Sequence, residues 1–188
     1  TLLLMGEILD ILDANGKPTG KTALKSEAHK SGLYHNTIHL WLYTDNEKVL
    51  LQQRSHKKLI YPLLWDVSIA GHIDTGETFT QAAVRETEEE ISLKLKENDL
   101  VKIGTHLHKS IYNDGQIKDF EFHQIYIAKL HKELKELSPQ KDEVEAIKLV
   151  SFEEFEDLLC NSENNSHFIA SNTSYYLSVL KHIKNHTK

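Results

Sequence analysis

The chain has 188 residues, of which 39% are hydrophobic and 27% are charged, and its formal net charge at pH 7 is -6. A chain of this length usually folds around one core, so we expect a single domain over residues 1–188. The negative charge argues against an extended nucleic-acid surface, because such a surface depends on clustered Lys and Arg. No run approaches the roughly 20 apolar residues that cross a bilayer, so we expect no membrane segment.

The cysteine content and the first residues both favour a cytoplasmic location. The single cysteine, Cys160, excludes an internal disulfide framework and has no Cys/His zinc spacing around it. The opening residues 1–4 (TLLL) lack the basic start and the long apolar run of a signal peptide. We therefore expect a protein that works in a reducing compartment.

Hydrophobic patterning predicts alternating strands and helices along the chain. We predict strand, turn and strand over residues 7–20, a short helix over 23–30, a hairpin of 35–43 with 49–54, and a short apolar segment over 65–70. A helix over 78–91 contains no Gly or Pro and carries its apolar residues on one side. Strands over 100–108, 120–130 and 146–152 precede a helix capped by Ser151 and a last helix over 174–186. This order predicts an α/β fold with mixed β-sheet and helices outside.

One segment contains a glycine and five charged residues at defined spacings: Gly71, Glu77, Arg85, Glu86, Glu89 and Glu90. On a helix the last three occupy positions i, i+3 and i+4, which places their carboxylates on one face about 5–6 Å apart. Like charges at this distance repel unless a cation lies between them, and hard divalent cations prefer carboxylate oxygens. A solvated helix face is the alternative interpretation of an acidic run taken alone.

Residues Gly71 to Leu93 resemble the Nudix box, G-x5-E-x7-R-E-U-x-E-E-x-G-U, in which U is a bulky apolar residue. Every charged position and the first glycine match. Two positions depart from the pattern, because Thr87 stands at an apolar position and Ser92 replaces the second glycine. The resemblance implies a Nudix-like α/β/α sandwich with mixed β-sheet and the box as a loop, helix and loop.

The same resemblance implies a hydrolase that uses Mg²⁺ or Mn²⁺ to split a diphosphate bond in a nucleoside-diphosphate-linked or similar small molecule. It implies metal ligation by the Gly71 carbonyl and by three carboxylates: Glu86, Glu89 and Glu90. Arg85 would orient these carboxylates through its planar fork. A box glutamate such as Glu89 can act as the catalytic base, and so can a later carboxylate, Glu143 or Glu121. A structural role is the alternative for each of the two later residues.

Beyond the box the resemblance spans about residues 7 to 155 and favours the branch of isopentenyl diphosphate isomerase and its hydrolase-like relatives. It is carried by residues 32–35 (GLYH), 39–42 (HLWL), 51–54 (LQQR), 61–66 (YPLLWD), 70–72 (AGH) and 119–121 (DFE). In the isomerase, residues matching His35, His72, Asp119 and Glu121 build a metal site, a ligand set that suits Mn²⁺ better than Mg²⁺. The isomerase also has an essential cysteine where this chain has Ala70, which cannot transfer a proton.

Three functions are therefore compared: a hydrolase, an isomerase-like enzyme and a nucleotide-sensing domain without catalysis. The complete set of box carboxylates favours the hydrolase over the sensor. Arg54 and Lys58 are the expected phosphate ligands, and Trp65 is expected to contact the organic part of the substrate. Core packing is the alternative for Trp65, and a charged turn is the alternative for Lys57 and Lys58. The expected partner is a small-molecule diphosphate substrate, and the family resemblance allows a homodimer.

Overall fold

The structure is a computed structural model that describes residues 6–187, so the opening TLLL lies outside the described residues. The strands are β1 Ile8–Leu12, β2 Pro18–Leu24, β3 Tyr34–Thr44, β4 Lys48–Arg54, β5 Trp65–Asp66, β6 Ile69–His72, β7 Val101–Tyr112, β8 Ile117–Lys129 and β9 Val144–Ser151. The helices are α1 Lys25–Ser31, α2 Phe79–Ile91, α3 Phe152–Cys160 and α4 Thr173–His186. Among residues 6–187, no helix is both long and apolar enough to cross a membrane.

The sheet is mixed, as the order of elements predicts. β3 runs parallel to β8, from the pair His35 and Glu121 to the pair Tyr43 and Lys129, and antiparallel to β6. β7 pairs antiparallel with β8, and β4 pairs antiparallel with β9. The predicted hairpin of β3 and β4 is short: their pairing covers only Tyr43 with Val49 and Thr44 with Lys48. The two strands then separate because each has a longer partner elsewhere.

Helices cover both faces of the sheet and create two large apolar cores, beside a third, smaller cluster around Leu9, Ile11 and Ala28. Side chains alternate along β3, so Ile38 and Leu40 face α2 while Trp41 faces α3 and α4. Trp41 is fully buried and lies 5.7 Å from Phe155 and 5.9 Å from Tyr176, measured between ring centroids. Burial of each such large side chain stabilises the fold by roughly 1.5–3 kcal/mol. The α/β/α sandwich is therefore confirmed.

Local signals set the ends of α2, the helix that carries the glutamates. Thr78 and Gln81 form a capping box, in which the Thr78 side chain accepts from the Gln81 N–H and the Gln81 side chain accepts from the Thr78 N–H. Ser92 ends the helix in the left-handed region, with φ of 57°. The Nudix pattern has glycine there, and the αL backbone explains why glycine is suited to the position.

Candidate active site

The glycine of the box lies on β6, directly against the helix that carries the glutamates. A β-carbon added to Gly71 would overlap the carboxylate of Glu86, so only a glycine lets this side chain pack against the strand. The next residue, His72, points to the opposite face of the sheet because strand side chains alternate. β6 therefore contributes to two groups of side chains at once.

Arg85 holds the carboxylates of the box in place. Its Nε and one terminal nitrogen donate to the two oxygens of Glu77, both at 2.9 Å, which is a bidentate pair. Its other terminal nitrogen donates to Glu86 at 2.9 Å and to Glu89 at 3.2 Å. The His72 carbonyl accepts a further bond from Arg85 at 3.0 Å. The loop, the strand and the helix are thus joined by one guanidinium.

The three helix glutamates expected to hold metal differ in exposure: Glu90 is buried, Glu86 is half-buried and Glu89 is exposed. Burial, and repulsion from Glu89, raise the pKa of Glu86 to about 7 even though Arg85 opposes this shift. Burial, followed by the charge of Glu86, raises the pKa of Glu90 well above its usual value. The side chain of Glu89 is 59% exposed at the rim. Two acidic side chains with raised pKa values are stabilised by a cation, so Glu86 and Glu90 are candidate ligands of a divalent metal ion.

A second group of candidate metal ligands lies on the other face of the sheet: His29 of α1, His35 of β3, His72 of β6 and Glu121 of β8. One oxygen of Glu121 is 3.8 Å, 3.4 Å and 3.4 Å from the Nε2 atoms of the three histidines in that order. These Nε2 atoms are buried and make no hydrogen bond to the described residues. Donor atoms from all four side chains lie within 4.8 Å of one another, so a cation bound between them would satisfy the orphaned nitrogens.

The protonation of this group favours cation binding. Burial alone would raise the pKa of Glu121, but the facing His35 and His72 side chains outweigh it and hold the pKa well below the usual range. Burial lowers the pKa of His29 to about 4 and also lowers that of His72. At His35 the Glu121 carboxylate outweighs burial and raises the pKa. An ionised carboxylate beside imidazoles, two of which have lowered pKa values, is a ligand set for Mn²⁺ or another borderline cation.

The composition of this histidine group differs from the expected one. The isomerase resemblance points to Asp119, but Asp119 lies beside His108, with 3.7 Å between its Oδ2 and the His108 Nε2. His29 takes part instead. It precedes the residues that carry the resemblance, and no spacing links it to them, so only the packing of α1 against β8 reveals it.

One cleft of about 1440 Å³ is lined by the three helix glutamates and by three of the four members of the histidine group, His29, His72 and Glu121. Arg54, Lys58 and Glu143 also line it, and Lys58 forms an ion pair with Glu143. Trp65 does not belong to the lining. Its indole stacks on His167 at 6.0 Å between centroids, and the Lys148 ammonium lies 4.5 Å from the ring centre. We therefore no longer assign Trp65 to substrate contact.

The fold and the cleft together define the class of protein. An α/β/α sandwich in which an arginine-clamped glutamate helix faces a cleft is the layout of a Nudix domain. The family model described as "NUDIX domain" matches residues 33–171. The chain therefore belongs to the NUDIX domain family.

Named relatives agree with this assignment. The chain is 37% identical over 160 residues to "Nudix hydrolase 3" of Arabidopsis thaliana, covering 84% of this chain but only 21% of the plant protein. An uncharacterized Nudix hydrolase of Listeria monocytogenes is 33% identical, with 95% of each chain covered. An isopentenyl-diphosphate Delta-isomerase of Cutibacterium acnes is 30% identical over 79% of this chain and 75% of its own length. The predicted branch is thus represented among the relatives.

A solved structure supports the fold. The crystal structure of DR0079 from Deinococcus radiodurans superposes with a TM-score of 0.64 at 17% identity, covering 86% of this chain and 92% of that one. At this identity the likeness concerns the architecture alone.

Proposed function

We propose that the protein hydrolyses a diphosphate bond in a small molecule, with a divalent cation, Mg²⁺ or Mn²⁺, held by the glutamate helix. The observation that carries this proposal is the packing of the Glu86 carboxylate against Gly71, with Glu90 buried nearby and Arg85 bonded to Glu86. Glu86, Glu90, Glu89 and the Gly71 carbonyl would hold the cation. When bound, such a cation neutralises the diphosphate and lowers the pKa of a water molecule.

The protein side chains have separate roles in this proposal. Arg85 keeps Glu86 and Glu89 oriented, since its five N–H donors form a rigid fork. Glu89 and Glu143 both reach the cleft, and either carboxylate can take the proton of the attacking water. Lys58 and Arg54 contribute the positive charge that attracts substrate phosphates.

We further propose that the histidine group of His29, His35, His72 and Glu121 holds a second cation at the same cleft. The orphaned, buried Nε2 atoms support this assignment. The two groups lie on opposite sides of β6. Gly71, beside the glutamates, and His72, of the histidine group, are consecutive residues, and both line the cleft. In this proposal a substrate with two phosphates meets both groups.

An isomerase-like activity is the second candidate, because the histidine group and the relative from Cutibacterium acnes both favour that branch. Ala70 argues against it. Moving a double bond needs one group that adds a proton and another that removes one, and alanine can do neither. The hydrolase is therefore the preferred conclusion.

The test is a product-mass screen of the purified protein with Mg²⁺ and then Mn²⁺. The compounds are nucleoside diphosphate derivatives, dinucleoside polyphosphates and isopentenyl diphosphate. Cleavage of one compound only with metal present is the expected result. Dimethylallyl diphosphate formed without loss of phosphate would favour the isomerase, and tight binding without turnover would favour a sensor.

The role of the glutamates is tested by Glu86→Gln, with Glu88→Gln as a matched control on the same helix. Glu88 pairs with Lys94 and its side chain is 52% exposed, away from the cleft lining. We expect Glu86→Gln to lower activity by more than the roughly 10- to 100-fold loss typical of residues behind metal ligands. Equal activity of the two folded variants would remove Glu86 from the proposed site.

A further inference from the structure

A chain of hydrogen bonds that includes no member of either proposed metal group lies along another part of the cleft. Asn172 precedes α4, and its side-chain nitrogen is 3.4 Å from Nδ1 of His108 on β7. The opposite nitrogen of His108, Nε2, is 3.0 Å from the hydroxyl of Tyr112 at the end of the same strand. Asn172 and His108 are 8% and 4% exposed, and all three residues line the cleft. The order of residues is thus Asn172, His108, Tyr112.

The chemistry of the side chains gives this chain a direction. An amide nitrogen only donates, so His108 Nδ1 must accept the bond from Asn172. The proton of the neutral imidazole is then on Nε2, which donates to the Tyr112 oxygen. Burial lowers the pKa of His108, which agrees with a neutral ring. Tyr112 consequently uses its oxygen as an acceptor and keeps its one proton for another partner.

The surroundings of Tyr112 favour a bound molecule as that partner. Its ring meets the ring of Tyr61 edge-on at 5.5 Å between centroids, and Tyr61 also lines the cleft. Ile117 lines the same cleft, and the hydrogen bond that the Tyr112 hydroxyl makes within residues 6–187 is the one with His108. The buried Oδ1 of Asp119 has no hydrogen-bond partner among the described residues. The site therefore combines aromatic edges with polar atoms that a hydrocarbon chain would leave unsatisfied.

The cleft is large enough for an organic group beside the phosphates. Its volume of about 1440 Å³ exceeds the roughly 300–1,000 Å³ typical of small-molecule sites. Diphosphate near the two metal groups would thus leave the part of the cleft around Tyr112 for the rest of the substrate. A site that offers buried hydrogen-bonding groups rejects analogues that lack them, because those groups then lose their partners.

We propose that Tyr112 is a specificity-determining residue that donates a hydrogen bond to the organic part of the substrate, with His108 and Asn172 as positioning residues. The ligand class is a group that carries oxygen or nitrogen acceptors, such as a nucleoside, rather than a prenyl chain. This inference rests on the proposed function in that it takes the substrate to be a diphosphate. It adds that the cleft selects a substrate with a nucleoside-like group over one with a prenyl chain.

The experiment measures binding, so that it does not depend on turnover. The probes are AMP, GMP, CMP and UMP, which contain no anhydride bond, together with isopentenyl monophosphate and inorganic phosphate, all titrated with Mn²⁺ present. We expect at least one nucleotide to bind the wild-type protein more tightly than isopentenyl monophosphate and inorganic phosphate do. Tyr112→Phe, which keeps the ring, should weaken the binding of that nucleotide by about 3- to 10-fold. The affinities for isopentenyl monophosphate and for inorganic phosphate should stay unchanged.

A second variant tests the direction of the chain. In Asn172→Asp the carboxylate accepts from His108 Nδ1, so in the neutral ring Nε2 becomes an acceptor and takes the Tyr112 proton away from the ligand. We expect Asn172→Asp to weaken nucleotide binding as much as Tyr112→Phe does, with no further loss in the double variant. A role confined to folding would give additive losses for every probe. Tyr34→Phe is the control, since Tyr34 lies outside the cleft lining.

Three results would overturn the inference: nucleotides that bind no better than phosphate, a Tyr112→Phe variant that binds like the wild type, or equal losses for all probes. Should Asn172→Asp fail to fold, the comparison of Tyr112→Phe with Tyr34→Phe decides alone. Selective nucleotide binding without metal-dependent cleavage of any diphosphate would refute the proposed hydrolysis and leave this inference standing. Cleavage of isopentenyl diphosphate without selective nucleotide binding would do the opposite.

Discussion

Replacing Gly71 with Ala tests the packing on which the proposed glutamate site depends. An added β-carbon would lie inside the contact distance of the Glu86 carboxylate, so the carboxylate must retreat by more than about 1 Å to restore a separation near 3.5 Å. Displacement of this size at a reacting centre costs on the order of 100-fold in rate. The same crowding is expected to destabilise the fold by about 1–3 kcal/mol.

The chain contains a suitable control for this substitution. A β-carbon on Gly104 of β7 meets nothing within 4 Å, so Gly104→Ala should keep normal activity and stability. The assay is the initial rate of diphosphate hydrolysis at saturating Mg²⁺, together with thermal unfolding of both variants. If folded Gly71→Ala hydrolyses substrate as fast as Gly104→Ala, the position of Glu86 does not limit the reaction and the packing argument is wrong.

Three further predictions concern stability. Ser92→Gly should raise the free energy of unfolding by about 0.5–1 kcal/mol, because Ser92 holds a left-handed backbone, and thermal unfolding should show a rise of a few degrees. Because the pKa of Glu86 is raised from 4.5 to about 7, its stabilising contribution is present below about pH 4.5 and lost as pH rises through 7. Mg²⁺ should therefore stabilise the protein more at pH 8 than at pH 5, as measured by melting temperature with EDTA or Mg²⁺. Tyr175→Phe should cost about 1–3 kcal/mol in chemical unfolding, since the Tyr175 hydroxyl bonds the buried Trp41 Nε1 at 2.9 Å and the His39 Nδ1 at 2.7 Å.

Each of these predictions has an outcome that contradicts it. A lower melting temperature for Ser92→Gly would mean that the Ser92 side chain contributes more than its backbone strain costs. A Mg²⁺ effect that is equal at both pH values would show that Glu86 is not protonated in the metal-free protein near neutrality. Unchanged stability of Tyr175→Phe would mean that Trp41 and His39 find other partners.

The local parts of the site could be predicted from the sequence because their geometry depends on short spacings. Glu86 and Glu90 are four residues apart, so any helix brings them to the same side. The helix itself was predictable from its apolar face, and α2 ends at Ile91 as predicted. Gly71 and Glu77 share the same recognisable spacing with this helix.

The long-range parts could not be predicted, because periodicity contains no information on which strands become neighbours. Thr37 and His123 are 86 residues apart in sequence and 2.7 Å apart in the fold, since β3 and β8 lie side by side. His29, and the contact of Asn172 with His108, depend on the same kind of assembly. The prediction for Trp65 failed for a different reason. Trp65 lies next to Asp66, which lines the cleft, but side chains alternate along β5, so the Trp65 side chain points away from the cleft.

β7 and β8 also extend beyond the predicted strands, for a related reason. Their added residues, up to Tyr112 and from Ile117, are not continuously apolar. Tyr112 of β7 and Asp119 of β8 line the cleft there, so the strand pattern is interrupted by the polar residues of the site. Hydrophobicity therefore predicts the end of the core and not the end of the strand.

The four residues of β6 have a consequence for how such a domain can change. Ile69 and Gly71 face α2, whereas Ala70 and His72 face the opposite side, so a single ribbon supplies both groups of ligands. Insertion or deletion of one residue would exchange the two faces and disrupt both groups in one event. An isolated antiparallel β-bridge between Leu9 and Asp74 fixes the chain just after the end of β6. The length of the chain from Trp65 to Thr78 is therefore expected to be nearly invariant among lineages with this fold.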